Sequence, residues 1–281
     1  MNSEQKQGKL LQIFSKEFSL YTQNNFADIN SPKAQLLCVH GLGTYSGWFD
    51  ELAQTLKNNQ ISTFSFDLLG FGNSGKKGEI NSFEDWLETV KVTWQDLNQN
   101  YTNQNNFLLG HSLGGIIALN ALPYLNPKPK ALILTVPAFM ANSQLWSFTD
   151  FMFPTLVKAF KNDKTKIKFP APKEVHEALI NGKFQKNFLT EEAEPKMFLE
   201  ILKLSLKSWS QINKLNDIPI LIMTAGKDIS CVSQASHLFF NLCNSQNKTL
   251  KQFPNLDHDL FVLPEAEIIN TYILNYLRTM V

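Results

Sequence analysis

Cysteine is scarce in this chain of 281 residues: Cys38, Cys231 and Cys243 are the whole set, far apart and without a C-x-x-C pair. That spacing excludes a disulfide framework and a cysteine-based zinc cluster. Charge of one sign is also missing. Twenty-six basic residues face 25 acidic ones, for a net charge of +1, so no electrostatic footprint for nucleic acid exists. No apolar run approaches the ~18 residues of a membrane-spanning helix. The N-terminal residues are polar, and their one apolar cluster, Leu10-Leu11-Gln12-Ile13-Phe14, is too short for a signal-peptide core. A soluble, cytoplasmic protein is expected. There is no internal repeat, no low-complexity tract and no cluster of metal-ligand residues, so neither a metal nor a cofactor is expected.

What is present is a globular composition, 43% hydrophobic and 18% charged, in a length that fits one large α/β domain or two ordinary ones. The 22 phenylalanines serve core packing first and leave room for an apolar pocket. The first residues are expected to form short strands, with Lys16 to Tyr21 alternating at period two. Gln35 to His40 is an apolar run ending in a polar residue, as in a strand buried on both faces; Cys38 within it behaves as a small hydrophobe. Further strands are expected at Ile61 to Asp67, Lys130 to Val136, Ile218 to Thr224 and Thr249 to Phe253. Helices are expected after Ser46, with Trp48, Leu52 and Leu56 at helical spacing, from about Ser82 to Tyr101, from Ser233 to Leu242 and from Glu265 to Arg278. Ser82 and Asp85 have the spacing of an N-terminal capping pair. The alternation of strand and helix predicts a mostly parallel, doubly wound sheet. It breaks after Pro137 and resumes near Ile218. Three parts follow: a first core part at 1–137, a helical cap inserted at 138–215, and a second core part at 216–281. Pro154, Pro170, Pro172 and Pro195 read as breakers inside the insert.

Gly110-His111-Ser112-Leu113-Gly114 carries the chemistry. This G-x-S-x-G follows the apolar Phe107-Leu108-Leu109 and precedes the helix-like Gly115 to Leu122, the strand–turn–helix context of a nucleophile elbow. A small-residue turn at a strand end is the alternative. A serine hydroxyl needs a base, and the base an orienting acid. Of the histidines at 40, 111, 176, 237 and 258, His258 lies in a polar loop between the last strand and the last helix. Active sites of open α/β sheets gather in such loops. Asp228, in Ala225-Gly226-Lys227-Asp228, follows the preceding strand directly and is the expected acid; a turn aspartate is the plainer reading. Asp217 is at the wrong end of that strand, and Asp257 and Asp259 flank His258 with side chains expected to diverge from its Nδ1. The oxyanion donors are assigned to the backbone N–H groups of Leu113 and, in His40-Gly41-Leu42-Gly43, of Leu42.

These segments together resemble the α/β-hydrolase superfamily: HGLG at 40–43, DLLGFGNSG at 67–75, GHSLGG at 110–115, GKD at 226–228 and DHD at 257–259. The resemblance covers nearly the whole chain from about residue 34, and implies the α/β-hydrolase fold with a Ser112–His258–Asp228 triad. Within the superfamily the chain is similar to monoacylglycerol lipases and bacterial lysophospholipases, with Thr135 to Phe139 as the most suggestive local likeness. The same architecture serves other esterases, aminopeptidases and carbon–carbon hydrolases. The expected activity is ester hydrolysis through an acyl-enzyme, on a small lipid-like ester such as monoacylglycerol or lysophospholipid. The alternatives are small non-lipid esters, amides or carbon–carbon bonds, or a protein that binds a ligand without turning it over. The aromatic stretch Leu145 to Phe153 places Trp146, Phe148, Phe151 and Met152 as candidate substrate contacts; packing of the cap on the core is the other use of these side chains. The lysines between Lys158 and Lys173 read as a solvated face, or as attraction to a membrane surface.

Overall fold

A computed structural model describes residues 7–13, 16–25, 32–100, 105–170, 186–215 and 218–281. The chain opens with an antiparallel hairpin, β1 (Gln7–Ile13) and β2 (Lys16–Asn25), where short strands were expected. Then come β3 (Ala34–Val39), a 3-10 turn (Ser46–Phe49), α1 (Asp50–Lys57), β4 (Ile61–Phe66), α2 (Phe83–Asn100), β5 (Asn106–His111), α3 (Leu113–Ala121) and β6 (Leu132–Thr135). The segment that follows holds a π-helical turn (Phe148–Met152), α4 (Phe153–Phe160), the two-residue strands β7 (Ile167–Lys168) and β8 (Glu192–Ala193), and α5 (Pro195–Ser208). Last come β9 (Ile220–Ala225), α6 (Ser233–Leu242), β10 (Lys248–Phe253) and α7 (Ala266–Arg278).

The eight-stranded sheet has the order β1-β2-β4-β3-β5-β6-β9-β10. From β4 to β10 its six strands are parallel, and β2 joins β4 antiparallel. The expected doubly wound sheet is therefore present. All six residues of β3 are buried, because helices cover both faces. Period-two alternation divides them: Leu37 and Val39 pack with α2 and α3, Leu36 and Cys38 with α1 and α7. Each side chain removed from water here contributes about 1.5–3 kcal/mol. The helix α3 is buried at all nine positions, and apart from Asn120 it is apolar on every side.

Two local expectations are corrected. Pro154 and Pro195 start α4 and α5 rather than breaking them, since a first-turn residue has no intrahelical N–H bond to lose. The N-terminus of α2 is met by a distant side chain: Phe83 N–H donates to Glu200 Oε2 on α5 at 3.1 Å. Asp85 N–H donates to the Ser82 carbonyl, and the Ser82 hydroxyl turns to Glu84. No helix among the described residues is long and apolar enough to cross a membrane.

Candidate active site

The site lies at the carboxyl ends of β3, β5, β6 and β9. Ser112 sits between β5 and α3 at φ 54°, ψ −117°, a conformation rare for a residue with a Cβ. Its flanking glycines make the turn feasible. A Cβ on Gly114 would lie 2.1 Å from the Val39 carbonyl oxygen, and one on Gly110 2.3 Å from that of Gly114. The Ser112 N–H donates to Thr135 O at 2.9 Å, and its carbonyl accepts from Gly115 and Ala138 N–H at 3.0 and 3.1 Å. The hydroxyl is the one part of the residue left without a structural duty in this turn.

His258 comes from the loop after β10. Its Nε2 stands 2.9 Å from Ser112 Oγ, and its Nδ1 2.8 Å from Asp228 Oδ2. Asp228 Oδ1 accepts from the N–H groups of Ser230 and Cys231 at 2.9 and 2.8 Å. These bonds leave Oδ2 to take the Nδ1–H, so that Nε2 is the imidazole acceptor facing the serine. All three side chains are buried. The structure thus brings together Ser112, His258 and Asp228 from positions 146 and 30 residues apart.

Leu42 and Leu113 border the same cavity as Ser112. As the first residue of α3, Leu113 has an N–H with no intrahelical partner. The Leu42 loop is held from behind by His40. Leu68 N–H donates to His40 Nε2 at 2.9 Å, and His40 Nδ1–H donates to Gly41 O at 2.8 Å. Burial lowers His40 to about 4, against the pull of Asp67, so this imidazole is neutral. Asp67 accepts from Ser46 and Asn73 N–H at 2.7 and 2.9 Å, tying the 67–75 loop to the segment after HGLG.

The cavity measures about 480 Å³. Trp146 and Met152 line it; Phe148 and Phe151 do not. Phe148 is 65% exposed, and Phe151 packs edge-on against Trp146 and Phe198. Phe169, Phe198, Ile201 and Leu202 complete much of the apolar wall and were not singled out in the sequence. Phe198, Ile201, Leu202 and Ser205 recur at helical spacing, and that period was the available signal. Cys231 was also missed: it lies in the wall beside the triad, and burial, with Asp228 nearby, pushes its thiol well above the usual range. Asp228, Cys231 and His258 set one donor atom each within 4.8 Å of one another, but two of these atoms already bond to each other. His237 is half-buried on α6, with Nε2 3.5 Å from Thr224 Oγ1. His176 and Asp217 lie outside the described residues.

Six parallel strands wrapped by helices, with a serine at the turn after the third of them in chain order, define an α/β-hydrolase. More closely, the chain belongs to the family described as serine aminopeptidase, S33, whose model matches residues 30–265. Among curated relatives it is 27% identical over 257 residues to the human (Homo sapiens) monoglyceride lipase, covering 84% of this chain and 79% of that one. It is 24% identical over 241 residues to phospholipase YtpA of Bacillus subtilis (strain 168), covering 84% and 92%. Among solved structures, a soluble variant of the Saccharomyces cerevisiae monoglyceride lipase in complex with a substrate analog superposes with a TM-score of 0.82 at 18% identity, over 98% and 96% of the two chains. The Paleococcus ferrophilus monoacylglycerol lipase gives 0.79 at 20% identity, over 94% and 100%. These structural likenesses concern the fold.

Proposed function

We propose that this chain is a serine hydrolase of carboxylic esters with lipid-like acyl groups, working through an acyl-enzyme on Ser112. The observation that carries the reading is the continuous hydrogen-bonded path Ser112–His258–Asp228 at the wall of an apolar cavity. In the first step Ser112 Oγ attacks the ester carbonyl carbon while His258 Nε2 takes the hydroxyl proton. Asp228 keeps the Nδ1–H tautomer and faces the imidazolium. The Leu42 and Leu113 N–H groups receive the developing oxyanion; one such donor contributes about 2.7–4 kcal/mol to the transition state. His258 then gives its proton to the leaving alkoxide oxygen as the ester C–O bond breaks. A water molecule repeats the sequence on the acyl-enzyme and frees the acid.

In this reading 138–215 is a cap over the site, and the acyl chain lies along Trp146, Met152, Phe169 and Phe198. The monoglyceride lipase and phospholipase relatives support a lipid-like ester over a small polar one. The exposed Phe148, Phe153 and Phe160, with Lys158 and Lys161 on the same segment, give the cap a surface suited to transient contact with a lipid interface. Three buried, unpaired cysteines suit a reducing, cytoplasmic setting.

A fluorophosphonate probe tests the reading: wild type is labelled as the serine oxygen displaces fluoride, Ser112→Ala is not, and His258→Ala labels at least 100-fold more slowly. Hydrolysis of a panel of esters from acetyl to oleoyl, with an aminoacyl amide included, tests the substrate class. Labelling of Ser112→Ala as strong as wild type, or faster turnover of acetyl esters or of the amide than of medium and long acyl esters, sinks the respective part.

A further inference from the structure

Four carboxylates are buried among the described residues: Asp67, Glu200, Asp228 and Asp259. Three are fully occupied. Asp67 accepts two backbone N–H groups. Asp228 accepts two and faces His258. Glu200 accepts from Phe83 N–H and holds Lys203 at 2.7 Å. Asp259 differs. It is 4% exposed; among the described residues its Oδ2 has no hydrogen-bond partner, and its Oδ1 meets His111 Nε2 at 3.8 Å, beyond hydrogen-bond length. A buried carboxylate so poorly matched costs stability, and the long contact with His111 is its one side-chain pairing among the described residues. Its position does suggest a use. Asp259 follows His258 directly, and both border the cavity with His111 and Ser112. The His111 ring lies 5.4 Å from the His258 ring, tilted by 45°.

We propose that Asp259 is a positioning residue of the reaction: beside His111 in the cavity wall that also carries His258, its carboxylate stabilises the imidazolium that His258 becomes on taking the Ser112 proton. The proposal rests on the serine-hydrolase reading and adds a second carboxylate to it. Before the proton moves, no Lys or Arg among the described residues pairs with Asp259. When Ser112 Oγ bonds to the carbonyl carbon and its proton moves to Nε2, a positive charge appears on the side chain that shares the cavity wall with the unmatched carboxylate. The interaction is therefore stronger in the transition state than in the ground state, which is the condition for accelerating the step.

The surroundings leave Asp259 this role. Burial lowers His111, with Asp259 opposing the shift, so its ring stays neutral near pH 7. His40, lowered to about 4, is neutral as well. The Cys231 thiol stays protonated. Asp228 faces Nδ1, and Asp257, raised by desolvation, is half-buried on the same loop. Lys168, Lys186 and Glu191 also line the cavity, but are exposed to solvent.

The test is Asp259→Asn, assayed on a soluble medium-chain ester. Its kcat should fall about 10-fold with KM within about twofold, and the acid limb of kcat/KM should move down by about one pH unit, because a nearby negative charge raises an imidazole pKa. The pH dependence of fluorophosphonate labelling of Ser112 should move by the same amount. Asp259→Ser, which makes room for a water molecule, is a second carboxylate-free variant with the same expected displacement. An acid limb that stays in place in both variants, whatever happens to kcat, overturns the proposal. If Ser112→Ala is itself labelled or active, the serine reading has failed. If Ser112→Ala is silent and the limb is unmoved, only the role of Asp259 has failed.

Discussion

Ser112 holds a backbone conformation that its own side chain disfavours. Positive φ at a non-glycine residue outside the usual left-handed region costs about 1–3 kcal/mol, and here φ is 54° with ψ −117°. The cost is sustained by the Thr135, Gly115 and Ala138 backbone bonds around it. Ser112→Ala and Ser112→Gly both lose the hydroxyl, but only glycine relaxes the backbone. Ser112→Gly is therefore expected to be more stable than Ser112→Ala by about 1 kcal/mol, after the ~0.5–1 kcal/mol entropy cost of glycine, as read from urea midpoints. Equal midpoints, or a less stable glycine variant, would show that position 112 is not strained. Gly114→Ala should act oppositely: with a Cβ 2.1 Å from Val39 O, it should destabilise by at least ~2 kcal/mol. The serine was legible in the sequence because its conformation demands glycines at fixed offsets. His258 and Asp228 were legible because strand ends could be located from apolar runs. Asp259 and Cys231 were not, since nothing local distinguishes a cavity-wall residue from its neighbours in a polar loop.

The loop 40–43 is an element fixed by partners outside itself, and a buried neutral imidazole is one of them. His40 has a folded-state value of about 4 against an ordinary 6.5, with burial as the main cause. Because the folded value lies below the unfolded one, the native state binds fewer protons. Stability is complete above about pH 6.5 and is lost as pH falls toward 4. The difference corresponds to about 3 kcal/mol. Urea unfolding is expected to show a falling midpoint between pH 6.5 and 4, and His40→Gln a shallower slope. His111, lowered in the same direction, keeps that slope from vanishing. An unchanged slope in His40→Gln would mean that His40 is charged in the native state. A second element carries the proposed lipid contact. Phe153 and Phe160 are seven residues apart on α4, one face, and 55% and 77% exposed. The double variant Phe153→Ser/Phe160→Ser should cut hydrolysis of vesicle-embedded esters about 10-fold and leave soluble esters unaffected. Equal loss on both substrates would place these side chains in cap packing instead. Such a face is hard to recognise in sequence, because an exposed phenylalanine and a buried one obey the same helical period.

At the scale of the whole molecule, the segment between β6 and β9 was predicted from the break in strand–helix rhythm, and the rhythm says nothing about how firmly it is attached. The bonds do. Asn120 Nδ2 on α3 donates to Ser208 Oγ at 2.8 Å, and Gln211 Nε2 donates to Asn120 Oδ1 at 3.3 Å. Glu200 reaches the first turn of α2. Thr190 N–H donates to Gly43 O and Glu194 N–H to Gly78 O, at 2.9 and 2.8 Å. Met197, Phe198 and Leu204 join the same apolar cluster as α2 and α3. The polar bonds are buried, so breaking one leaves an unsatisfied group at about 1–3 kcal/mol. The part of the segment from Glu194 onward is thus bonded firmly to the core, while α4, with one fully buried residue, packs on α5. The expectation is a single calorimetric unfolding transition for the whole chain, in which Glu200→Gln lowers Tm without splitting the peak. A separate low-temperature transition, abolished by deleting α4 alone, would place the boundary there. One that Glu200→Gln shifts by itself would instead mean that α5 unfolds with the cap, and that the wall formed by Phe198, Ile201 and Leu202 can leave the site as a unit.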